Sequence, residues 1–85
     1  MTLVKDISPT GIKAMRERIS AEVWSAHTMN RIAVQRRNWG RQAYELKQMR
    51  RAAMWLVQAE DFFDKRDDHM DAARRCKCEL EHVKP

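Results

Sequence analysis

Glycine and proline are nearly missing from this chain, with two of each among 85 residues. An all-β fold needs many more of both to make its turns, so strands joined by tight loops are excluded. No apolar run approaches the roughly 18 residues that a membrane-crossing helix requires. Met1-Thr2-Leu3-Val4-Lys5-Asp6-Ile7-Ser8 is too short and too polar for a secretory signal. Gly11 and Gly40 stand 29 residues apart, so no glycine-rich loop cradles a phosphate. Length sets a further limit: a chain of this size buries only about 60–65% of its unfolded surface, which excludes doubly wound cofactor domains and (β/α)₈ barrels. What remains is a single small helical domain, expected in the cytoplasm.

Cysteine is equally scarce. Cys76 and Cys78 stand two apart, too close on a helix to bridge each other, and they suit a reducing compartment as free thiols. Cys78 and His82, at i and i+4, can supply two ligands, and a dimer could complete a tetrahedral Cys₂His₂ site. Metal frameworks, however, use two or more closely spaced pairs within one chain, which this chain lacks. His27 lies beside Ser25 and Thr28, but adjacent helical residues face apart, so no nucleophile–base pair is expected. The carboxylates of Glu60, Asp61 and the 64–71 segment mix with Lys65 and Arg66 as a solvated face does. No enzyme activity, metal or cofactor is expected.

Helical periodicity fills most of the chain. Residues 1–8 read as a short extended arm, with Ser8 a helix cap and Pro9 in the first helical position. Apolar residues then recur at Ile12, Met15, Ile19, Val23, Ala26, Met29 and Ala33. Asn38-Trp39-Gly40 supplies a glycine stop, which places the first helix at about 9–38. The alternative is one helix running through Gly40 at a cost of roughly 1 kcal/mol relative to alanine.

A second stripe follows from about residue 41. Met49, Leu56, Phe63 and Met70 lie seven apart, and Ala52, Ala59, Ala73 and Leu80 fill the positions between, interrupted only by Arg66 and Lys77. This is a coiled-coil-like pattern. The second helix either continues beyond residue 63 to about 83 or breaks near 64–68, where Asp67 or Asp68 can cap a third helix. The fold is therefore all-α: a long helical hairpin completed by self-association, or a three-helix bundle. Met49, Leu56, Phe63, Met70 and Leu80 are the expected self-association residues of a homo-oligomer.

Charge is unevenly distributed. Residues 31–59 carry Arg31, Arg36, Arg37, Arg41, Lys47, Arg50 and Arg51 against Glu45 alone, a balance of +6. Residues 1–30 balance at +1 and residues 60–85 at −2. On a helical wheel, Arg37, Arg41, Tyr44, Arg51 and Trp55 lie opposite Leu46, Met49, Ala53 and Leu56, with Arg36, Lys47 and Arg50 on the flank. Arginine forks grip carboxylate or phosphate, and aromatic neighbours add buried area. The bland reading is a solvated face, or a basic segment neutralised by the aspartates of another copy. Ala52-Ala53-Met54-Trp55-Leu56-Val57 is apolar all round, and one partner helix cannot cover it all. The expected function is a non-enzymatic helical interaction protein, of the inhibitor or adaptor type. It meets a protein partner through Arg36, Arg37, Arg41, Tyr44, Lys47, Arg50, Arg51 and Trp55. The alternative is a DNA- or RNA-binding regulator that places segment 31–51 on phosphates.

Overall fold

The computed structural model describes residues 9–82, which form α1 (Pro9–Glu45) and α2 (Met49–His82) packed antiparallel as a helical hairpin. The expected arm at 1–8, its Ser8 cap and the helix end at about 83 lie outside the described residues. The hairpin is 60 × 23 × 13 Å, long and one helix thick.

Gly40 does not end α1, contrary to the stop expected after residue 38; the helix runs on to Glu45. The glycine serves a long-range purpose. A Cβ placed on it would come within 2.9 Å of Leu56 Cγ and Cδ2, so its absence lets α2 pass close by. The true stop follows at residues 46–48. Gln48 N–H donates to Ala43 O at 2.8 Å and Lys47 N–H to Tyr44 O at 2.9 Å, with Lys47 left-handed at φ 60°. These are the paired bonds of a Schellman cap, with lysine at the position that glycine usually holds. Ala52 N–H then donates to Gln48 O at 2.9 Å, which starts α2.

The second helix does not break at 64–68, so the three-helix alternative is not the structure adopted. Phe62, Phe63, Arg66 and His69 turn inward by degrees while Asp64, Lys65, Asp67 and Asp68 stay exposed. The charged run is one solvated side of a continuous helix.

Small residues make the seam. Ala26, Ala33 and Gly40 recur every seven residues on α1, and Ala52, Ala59 and Ala73 follow the same period on α2, with Arg66 at the place between the last two. All these alanines and the glycine are buried together with Ala43 and Cys76. Alanine and glycine at these positions let the two backbones approach. Met49, Leu56, Phe63 and Met70 flank this seam instead of filling it, and Leu80 continues the alanine row. Two polar contacts cross the seam in its middle. Arg66 Nη1 donates to Asn30 Oδ1 at 2.8 Å, and His69 Nδ1 lies 2.6 Å from Glu22 Oε2. A polar contact inside an apolar seam has a partner in one register only, so these pairs fix the antiparallel alignment. Cys76 Sγ, 3.5 Å from Met15 O, marks the same register towards the open end.

Candidate interaction surface

The turn brings the last part of α1 and the first part of α2 together, so residues 36–57 form the closed tip of the hairpin. All eight expected contact residues are there, but they do not share one face. Trp55, which the wheel set on the outside, is half-buried in the seam, because the packed side of α2 is the alanine row rather than the Met49–Leu56 row. Its ring meets Trp39 edge to face, with centroids 4.8 Å apart at 70°. The Arg36 guanidinium sits 4.6 Å from the Trp39 centroid and 5.5 Å from that of Trp55. Arg36 Nη1 donates to Gln35 Oε1 at 2.9 Å, while Nε is buried with no hydrogen-bond partner. Arg36 and Trp55 thus join the two helices at the tip, and the ring faces hold the cation in place of a carboxylate.

The other six residues are exposed. Arg37 lies 5.7 Å from the Phe63 centroid, on the same side of the hairpin as Leu56. Arg41 is one turn further on, with Tyr44 beyond it near the end of α1. Lys47 is in the turn itself. Arg50 and Arg51 open α2 and, with Gln48 and Met49, line a shallow depression.

Two features describe the tip, of which the second sets it apart. The described ion pairs, Lys13–Glu17, Arg66–Asp67, His69–Glu22 and Arg74–Asp71, all lie outside residues 36–57. Second, the large apolar residues left exposed concentrate here: Trp39, Tyr44, Leu46, Met49, Met54, Leu56 and Val57, with Trp24 the exception on α1. Trp39 and Leu46 belong to this surface although the eight expected residues omit them. Reading Asn38-Trp39-Gly40 as a helix stop hid Trp39, whose i, i+3 spacing from Arg36 was the available signal.

The open half of the hairpin holds no comparable surface. Cys76 is buried and Cys78 exposed, both as free thiols. The ring of His82 spends Nδ1 on Cys78 O at 2.7 Å, with Cys78 Sγ at 3.8 Å. Among the described residues no three His, Cys, Asp or Glu side chains gather to hold a metal ion, and no helix is long and apolar enough to cross a membrane. No protein-family model, curated protein or solved structure matches the chain.

Proposed function

We propose that this chain is a non-catalytic interaction protein of the inhibitor or adaptor kind, acting in the cytoplasm as a homo-oligomer and docking its hairpin tip onto an acidic surface of another protein. One observation carries the reading: the tip places Arg37, Arg41, Lys47, Arg50 and Arg51, which form no ion pair among the described residues, beside exposed aromatic and aliphatic side chains. Arginine with tryptophan, tyrosine and methionine is the mixture enriched at the centres of protein interfaces.

Helix electrostatics supports the same reading. The first turn of α2 has no acidic residue and carries Arg50 and Arg51, where the helix dipole favours negative charge. Cations at that place disfavour the helix by a few tenths of a kcal/mol each. A residue that works against its own helix is best explained by a contact it makes elsewhere.

The test is capture from native host extract, comparing the wild-type chain with the Arg37→Ala/Arg41→Ala/Arg51→Ala variant, with and without nuclease. The wild-type chain is expected to retain a protein after nuclease treatment and at about 0.3 M salt, where phosphate contacts weaken steeply. The triple variant is expected to lose it. Capture that disappears with nuclease would move the assignment to DNA or RNA, and equal capture by both chains would remove the tip from the account.

A further inference from the structure

The hairpin is a single layer, 13 Å in its shortest dimension, and a helical layer is completed by burying its apolar face against another. Among the described residues its own core is alanine, cysteine and glycine, with no large side chain fully buried. The two broad faces differ. Leu56 against Gly40 and Arg37 over Phe63 define one face, which carries the row Met49, Leu56, Phe63 and Met70. Arg18, Ala72 and Glu79 define the other, where the α2 row reads Arg51, Gln58, Lys65, Ala72 and Glu79. Polar side chains also surround Met70 on the first face, namely Arg66, Asp67, Asp71 and Arg74.

We propose that the Met49–Met70 row is covered by the same row of a second copy of this chain, running in the opposite direction, so that two hairpins form a four-helix bundle. This rests on the self-association in the reading above and adds the face and the direction. The row is self-complementary about a two-fold axis between Leu56 and Phe63. Met49 then meets Met70 of the partner subunit, and Leu56 meets Phe63 of the partner subunit, as an isologous interface requires. Charge selects the direction. Tips pointing the same way would place two +6 segments side by side. The reversed arrangement instead sets residues 47–51 of each copy level with the other's 68–72 segment, which contains Asp68 and Asp71. The area is sufficient. Met49 to Met70 spans about 33 Å of helix, and across the 23 Å width that covers roughly 800 Å² per copy, the size of a standard interface. Arg51, on the register of Ala72 and Glu79, remains on the opposite face, so the bundle leaves part of each tip open to a partner.

The test uses the purified full chain alone. Light scattering should give twice the 10.1 kDa chain mass. In a Cys78→Ser background, chains carrying Met49→Cys mixed with chains carrying Met70→Cys should form an intermolecular disulfide on mild oxidation. Neither chain should link to itself. Circular dichroism on both variants confirms that they remain helical, and Met49 is exposed enough to tolerate the change. A monomeric mass at every concentration overturns the proposal, as does self-linking of the Met49→Cys chain, which would bring the tips together. A monomer would leave tip docking intact, whereas equal capture by the wild-type chain and the triple variant, with the dimer unchanged, would overturn only the docking.

Discussion

The tip and the open half of this hairpin use the same kinds of residue for different ends. In the open half some charges meet charges, Lys13 with Glu17, Arg74 with Asp71 and Arg66 with Asp67, while Arg16, Arg31, Lys65 and Lys77 are exposed without a described ion pair. Arg66 also reaches across to Asn30 and stacks on Phe63, 4.8 Å from the ring centroid, so one cation serves register, packing and charge balance. At the tip, Arg36 is held by two indole rings, and Arg37, Arg41, Lys47, Arg50 and Arg51 face outward without a described ion pair. Exposed ion pairs contribute little to stability, so the open half gains little from its pairing. The contrast lies in what surrounds the cations: both halves expose charges without a described ion pair, but the tip sets its own beside uncovered apolar surface.

Substitutions can break or sharpen this contrast. The largest stability effect is expected at the seam common to both halves. Ala33→Leu should destabilise the hairpin by roughly 1–3 kcal/mol through overpacking, seen as a lower denaturant midpoint. Ala53→Leu, on the exposed side of α2, should stay within about 0.5 kcal/mol. Next comes the polar pair of the open half. Glu22→Ala removes the acceptor for His69, and because the His69 and Glu22 side chains are 37% and 24% exposed the loss should be about 1 kcal/mol. The smallest change goes the other way, at the turn. Lys47→Gly relieves a left-handed lysine and should raise stability by about 0.5 kcal/mol, with part of the gain lost to the greater freedom of the unfolded chain. A fall in stability there would mean that the lysine side chain makes a contact that offsets its backbone strain.

Much of the fold is legible in the spacing of residues, because a helical period of apolar side chains is local information. The all-α class and the hairpin alternative follow from it directly. Two features are not local. Gly40 looks like a helix stop to its neighbours, but its reason is Leu56 on the other helix. Lys47 ends α1 with none of the glycine chemistry that announces such an end. The seam is hidden by a different bias. Large residues draw a transfer-energy argument towards Met49, Leu56, Phe63 and Met70, whereas two helices packed closely select the alanines beside them. At the candidate site, the basic segment and its aromatic neighbours are readable in order along the chain. That Arg36 and Trp55 hold the tip together while Arg50 and Arg51 face out depends on both helices at once.

The claim that the tip is shaped for contact rather than for folding is tested most directly by Arg50→Gln/Arg51→Gln, read for thermal melting and partner capture on the same preparation. These changes remove cations from the wrong end of a helix dipole, so the melting temperature should not fall. Capture of the protein partner should weaken at least tenfold, about 1.4 kcal/mol. Undiminished capture, or a hairpin that melts earlier with its arginines gone, would contradict the account.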